Sequence, residues 1–249
     1  MRAAVGNCGL ISGPAPRVFW ERRRGANRGV GIGGGRVVAL TDNTHLIALG
    51  AGSGQLVWDV AMTDWPASQY SASGAPLVVG KHVVTGVAGG EEGARGFVAC
   101  YDLDDGRREW QFWTIPKPAT DRCGITRLRR APFEMGKRYF NGTGSAMAGG
   151  TRSVRALDIR SGNIVWDYPQ VGTGRSASGT LSTQGGLIFF GEDSGVFSAL
   201  DARTGRPLWH FSANTQFRAS PMTYMVGGKQ FVCIASAAGY LAFGLPDQD

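Results

Sequence analysis

One eleven-residue pattern recurs four times along this chain, and few folds can accommodate such a recurrence. Residues 48–58, 100–110, 156–166 and 199–209 follow the form small-x-Asp-x-x-Thr/Ser-Gly-x-x-x-Trp, with Gly50 at the Asp position of the first copy and Asp105 at the Thr/Ser position of the second. Glycine always stands four positions before tryptophan: Gly54 and Trp58, Gly106 and Trp110, Gly162 and Trp166, Gly205 and Trp209. Each copy reads as a β-hairpin. A short apolar strand (Leu46 to Leu49, Phe97 to Tyr101, Val154 to Leu157, Phe197 to Leu200) enters a polar turn. In that turn aspartate accepts backbone N–H groups and glycine takes a positive φ. The returning strand ends in tryptophan, whose bulk suits packing between neighbouring sheets and whose N–H there needs a backbone acceptor.

Upstream of the hairpins lie further strand pairs, such as Leu77–Val79 with His82–Thr85, and Leu181 with Leu187–Phe190, which makes four strands per unit. The tryptophans are 52, 56 and 43 residues apart, bracketing the ~40–50 residues of a propeller blade. A solenoid or a β-sandwich is the alternative, but sandwiches do not repeat one hairpin in register. No long amphipathic helix is evident. The expected fold is all-β, a β-propeller of four-stranded blades joined by docked tryptophans.

Composition narrows the function classes. With 43% apolar and 18% charged residues the chain can bury a substantial core, and its 39 glycines follow no collagen-like period. No apolar run reaches the ~18 residues of a membrane-spanning helix. The net charge of +7 is concentrated at Arg22–Arg24 and between Arg122 and Arg138. The cluster Arg127-Leu128-Arg129-Arg130 raises the idea of nucleic-acid binding, but no aromatic-interleaved basic face or reading helix accompanies it. It reads as a solvated patch, and no nucleic-acid partner is expected. Cys8, Cys100, Cys123 and Cys233 have no zinc, redox or haem-attachment spacing; Cys100 and Cys233 lie in apolar runs and read as small core residues. His45, His82 and His210 are isolated from one another and mark no His-based metal site. Residues 1–16 form a poorly defined N-terminal segment without the continuous apolar stretch of an export signal.

The hairpin motif resembles the tryptophan-docking motif of the quinoproteins, the pyrroloquinoline quinone (PQQ) dependent alcohol dehydrogenases, and longer stretches strengthen the resemblance. Asn27-Arg28-Gly29-Val30 is similar to the family's N-R-G-V segment. Ser73-Gly74-Ala75-Pro76 leads into Gly86 to Phe97, which resembles its G-x-x-G-A-E-x-G-V-R-G-Y stretch. Ser220-Pro221-Met222-Thr223-Tyr224 with Gly228-Lys229-Gln230-Phe231-Val232 resembles its closing-blade signature. The resemblance implies an eight-bladed fold and PQQ and Ca²⁺ as cofactors. The reaction it implies is oxidation of a small alcohol or sugar in the periplasm, with a cytochrome or quinone as electron acceptor. Residue by residue, Arg28 supplies a guanidinium for a cofactor carboxylate and Ser73 a hydroxyl, while Gly89 and Gly90 let backbone approach the ring edge. Glu91 stands at the family's carboxylate ligand to Ca²⁺, a hard cation that takes oxygen donors.

The pattern breaks after Trp113-Thr114-Ile115-Pro116 and resumes near Pro132-Phe133-Glu134. The block implied by the resemblance between those points carries the tryptophan floor of the pocket, an Asn ligand and the catalytic Asp, so no catalytic residue is assigned. Asp102, Asp158 and Asp201 do not replace it, because they are repeated turn residues. Arg22-Arg23 stand where some members carry adjacent cysteines, and Ala177 stands at a cofactor-lining tryptophan position. The sequence therefore predicts residues 17–249 as a single partial quinoprotein propeller with an abnormal junction at 117–131. That junction is explained by an internal deletion, frameshift or assembly error, or by a naturally compact propeller. Hydride transfer needs a base near the substrate hydroxyl, so two expectations follow: a truncated, inactive-prone dehydrogenase, or a non-catalytic scaffold that binds a protein partner. Open sheet edges would also allow a homo-oligomer.

Overall fold

The computed structural model describes residues 27–64, 70–89, 94–115, 152–171 and 178–245. All regular structure among them is β, arranged as five antiparallel sheets whose strands follow chain order. The first sheet comprises β1 (Gly31–Gly33), β2 (Arg36–Leu40), β3 (His45–Gly50) and β4 (Leu56–Ala61). The second comprises β5 (Leu77–Val79), β6 (His82–Gly86), β7 (Phe97–Asp102) and β8 (Arg108–Trp113). Described residues supply two strands of the third, β9 (Arg152–Leu157) and β10 (Ile164–Gln170). The fourth is again four-stranded: β11 (Thr180–Ser182), β12 (Leu187–Gly191), β13 (Val196–Asp201) and β14 (Pro207–Ser212). The last holds β15 (Met222–Val226), β16 (Lys229–Ser236) and β17 (Gly239–Gly244). These up-and-down sheets are propeller blades, as the repeat predicts. No helix among the described residues is long and apolar enough to cross a membrane.

The strands group into two compact units. One takes in the described residues up to Ile115 together with Ile159–Gly162, and the other takes in 152–158 and the described residues from Asn163 onward. Residues 1–16 and the junction at 117–131 lie outside the described residues.

The four repeated hairpins share one backbone solution. Gly54, Gly106, Gly162 and Gly205 have φ of 68°, 75°, 72° and 71°, the left-handed conformation that costs other residues most. In each, the strand register shifts just before the tryptophan pairs: between Ala48 and Leu49, Cys100 and Tyr101, Ile164 and Trp166, and Ala199 and Leu200. This is the turn-plus-bulge loop that a left-handed glycine makes possible. Asp102 Oδ1 accepts the N–H groups of Asp104 at 2.7 Å and Asp105 at 3.3 Å. Asp201 Oδ1 accepts those of Arg203 and Thr204 at 3.1 and 2.8 Å. The Thr204 hydroxyl also donates to Asp201 and holds its carboxyl below the usual range. In the first hairpin Gly50 stands in the aspartate's place, and its own N–H and C=O still close the turn.

The tryptophans then link one hairpin to the following turn. Trp58 Nε1 donates to Leu103 O at 3.0 Å, and Trp166 Nε1 donates to Ala202 O at 2.9 Å. Trp110 Nε1 donates to Ile159 O at 2.7 Å, within the stretch that packs with the first unit. Beneath each indole lies the next repeat's glycine. A Cβ on Gly106 would stand 2.8 Å from Trp58, and Cβ atoms on Gly162 and Gly205 would stand 2.7 Å from Trp110 and Trp166. The missing side chain is thus the socket for the indole. Trp58 joins Val38, Leu46, Val83, Tyr101 and Leu103 in the core of the first unit, and Trp166 joins Phe190 and Leu200 in the second.

Trp209 departs from the expected docking. It is 40% exposed and packs edge-on against Phe197 and Phe243, with ring centroids 6.1 and 5.2 Å away, and stacks on Phe211. Among the described residues no glycine of a following hairpin stands beneath its ring.

Gly106→Ala should therefore lower stability by about 2–4 kcal/mol, combining the left-handed penalty with overpacking against Trp58. Gly54→Ala, at the same φ but with nothing within 4 Å of its Cβ position, should lose only about 1–2 kcal/mol. Urea unfolding of the two variants measures the difference; equal losses would mean that the socket contributes nothing.

Candidate functional site

The glycine-rich start of β1 is forced against the entry to β5. A Cβ on Gly31 would stand 2.6 Å from Pro76 O, and one on Gly33 would stand 2.6 Å from Val78. This close approach brings Arg28 onto Ser73, 45 residues later in the chain: Arg28 N–H donates to Ser73 O at 3.1 Å, and Arg28 Nη1 donates to Ser73 Oγ. Asn27 caps the bend, its Oδ1 accepting Gly29 N–H at 2.8 Å, while Gly29 adopts φ 130°. Arg28 is exposed and Ser73 half-buried.

A neighbouring bridge pairs Ser71 with Ala88 through bonds of 2.9 and 2.7 Å. It holds the segment that leads to Gly89, whose φ is 121° and whose carbonyl accepts Ala94 N–H at 3.0 Å. The structure thus unites Arg28 with Ser73 and sets Gly89 one residue past a bridge to the same segment. Gly90 and Glu91, and likewise Ala177, lie outside the described residues.

Arg28 and Ser73 can recognise an anion as a pair. A guanidinium carries five N–H donors, so the bond to Ser73 leaves donors to spare. A hydroxyl that accepts from arginine keeps its own proton to donate. Together they present one positive charge and convergent donors, the chemistry of a carboxylate site.

The second unit holds groups that sequence reasoning missed. A cleft of about 450 Å³ is lined by Arg152, Arg155, Gln170, Ser178, Thr180 and Phe190, among others. Its two guanidiniums are already engaged: Arg152 Nη1 lies 3.0 Å from Asp193 Oδ2, and Arg155 Nη2 lies 3.0 Å from Asp167 Oδ2. The Arg155 bond holds Asp167 below the usual carboxylate range. The cleft is therefore no counterpart to the Arg28 site. Next to Asp193, Glu192 is 3% exposed and accepts Val171 N–H and the Ser194 hydroxyl, both at 3.3 Å. Burial pushes its carboxyl above the ordinary range despite those bonds. Only the run Gly191-Glu192-Asp193-Ser194-Gly195 could have signalled it, and that run reads as an ordinary turn.

On the second sheet, His82 Nδ1 lies 2.6 Å from Glu109 Oε2, and Cys100 Sγ lies 3.3 Å from the same oxygen. Burial first, then the bond to and charge of Glu109, push the Cys100 thiol up to about 12. Cys100 is fully buried and Cys233 half-buried, both as free thiols.

Comparison with known proteins agrees with this fold. Residues 169–232 match the family model described as glucose/ethanol/alcohol dehydrogenase, β-propeller domain. Residues 13–175 match the one described as outer membrane protein assembly factor BamB. The chain belongs to the PQQ β-propeller family. It is 35% identical over 190 residues to the quinohemoprotein alcohol dehydrogenase ADH IIB of Pseudomonas putida, covering 74% of this chain and 26% of that protein. It is 31% identical over 203 residues to the dehydrogenase subunit of the quinone alcohol dehydrogenase of Gluconacetobacter polyoxogenes, covering 74% and 25%. The chain spans about a quarter of the length of these relatives. Among solved structures it is similar to BamB from Moraxella catarrhalis, with a TM-score of 0.53 at 21% identity, covering 86% of this chain and 60% of that one. That likeness is one of fold.

Glu192 gives a test of pH linkage. Its carboxyl holds its proton more tightly folded than unfolded, so its contribution to stability falls as pH rises from the ordinary carboxylate pKa through the raised one. Glu192→Gln should remove that fall. Urea unfolding at a series of pH values should show wild type losing stability relative to the variant across this window; parallel curves would refute the burial effect.

Proposed function

We propose that this chain forms part of the PQQ-binding propeller of a periplasmic dehydrogenase that oxidises a small alcohol or sugar and passes the electrons to a cytochrome or quinone. The observation that carries this reading is the Arg28–Ser73 pair, two residues singled out from sequence as cofactor ligands and found bonded to each other. Their donors suit a tricarboxylic quinone. In this reading Arg28 and Ser73 hold a cofactor carboxylate, and Gly89 and Gly90 leave room for its ring edge. Glu91 supplies a carboxylate oxygen to Ca²⁺. When bound, the quinone supplies a hydride acceptor and the cation polarises its carbonyl. The chain's own part is to bind and orient: Arg28 is anchored by its backbone as well as its side chain, so little freedom remains to be lost on binding.

A second reading has its own support. The family model that matches residues 13–175 is that of an outer membrane protein assembly factor, and the base expected of a dehydrogenase has no counterpart in the sequence. In this reading the blades are a non-catalytic scaffold for a protein partner.

Titration of the purified chain with PQQ in the presence of Ca²⁺, followed by the cofactor's absorbance and tryptophan quenching, separates the two. Saturable binding is expected, weakened about tenfold or more in Arg28→Ala, since a hydrogen bond to a charged group contributes ~1.5–3 kcal/mol. Reduction of an artificial acceptor with a panel of small alcohols would extend binding to turnover. No binding, or binding indifferent to Arg28, would discard the dehydrogenase reading in favour of the scaffold.

A further inference from the structure

We propose that His82, Cys100 and Glu109 form a binding site for a borderline divalent transition metal of the zinc class. The three residues lie on adjacent strands, β6, β7 and β8. One donor atom from each, an imidazole nitrogen, a thiol sulfur and a carboxylate oxygen, lies within 4.8 Å of the other two. Glu109 reaches this cluster because it is the bulge residue: Cys100 pairs with Trp110 and Tyr101 with Arg108, which leaves Glu109 without a cross-strand partner. A bulge re-aims the side chain it carries.

The fold does not require these groups, and the repeat itself shows this. The positions equivalent to His82, Cys100 and Glu109 hold Arg36, Ala48 and Val57 in the first sheet. In the fourth sheet they hold Leu187, Ala199 and Leu208. Only the second sheet, among the three whose four strands are described, concentrates metal-ligating atoms there. His45 with Asp59, at 2.6 Å, is an instructive contrast, because it is a two-group pair at other positions of the repeat with no thiol attached.

The donor set selects the metal. Sulfur with imidazole and carboxylate suits zinc or cobalt, whereas Ca²⁺ takes oxygen alone. Tetrahedral bond lengths place ligand atoms ~3.3–3.6 Å apart, so His82 and Glu109 must separate by less than about 1 Å to admit the ion. Their side chains, 24% and 18% exposed, have solvent on one side in which to do so and leave a fourth position for water. On binding, the Cys100 S–H bond breaks, its proton passes to solvent, and a sulfur–metal bond forms. Thiolate and carboxylate then neutralise the dication, so no net charge is buried. The site is independent of the PQQ reading.

Cobalt(II) is the probe, added to the chelator-stripped full chain. One equivalent should produce a near-ultraviolet thiolate-to-cobalt charge-transfer band that zinc displaces and calcium does not. Cys100→Ala should abolish the band while the chain stays folded by circular dichroism, because alanine stands at that position in the sister sheets. His82→Gln should weaken cobalt binding more than about 100-fold, beyond the loss seen on removing an outer-shell partner. Cys233→Ala should leave the band intact. Absence of the band in wild type, or its survival in Cys100→Ala, would overturn the site.

Discussion

Much of this structure depends on an indole N–H donating to a backbone carbonyl over a glycine that has no side chain. Neither half works alone. Tryptophan buries a large apolar surface but carries one donor that must be satisfied when water is excluded. The turn that supplies the acceptor has to bring its backbone within van der Waals reach of the ring, which only glycine in the left-handed region allows. The aspartate of the same turn ties down the N–H groups that would otherwise compete. Three of the four tryptophans are seated this way, whereas Trp209 is partly exposed and packs among phenylalanines.

The same economy of glycine shapes the candidate site. Gly31 and Gly33 let the first strand of one sheet lie against the first strand of the next, and this contact places Arg28 on Ser73. An exposed arginine is ordinarily a solvated group. Here two anchors, backbone to backbone and guanidinium to hydroxyl, fix it in one orientation with donors still unspent.

The second sheet carries a different chemistry on the same frame. Its bulge is the one found in every repeated hairpin, yet here the bulged residue is Glu109 where the other copies have Val57, Val165 and Leu208. A repeat of this kind gives an internal reference: side chains that the fold needs recur, as the glycines and tryptophans do. His82, Cys100 and Glu109 appear together in one copy only, and the sister sheets form with other side chains at those positions.

What was legible from sequence was local. The hairpins, their left-handed glycines, the aspartate caps and the strand pairs β5–β6 and β11–β12 all follow from interactions over a few residues, which short-range patterns record directly. A backbone acceptor for the indole N–H was foreseeable in kind, and it is found for Trp58, Trp110 and Trp166. Three things were decided only by tertiary structure. Arg28 could be matched to a motif, but its bond to Ser73 depends on how closely two glycine-bearing strands approach. The histidines appeared isolated because His82, Cys100 and Glu109 are far apart in the chain, and cross-strand register with a bulge joins them. Glu192 lies in a run that reads as an ordinary turn, and only the packing around that turn buries it. In each case the deciding quantity is a distance set by sheet geometry across many residues, which linear spacing does not encode.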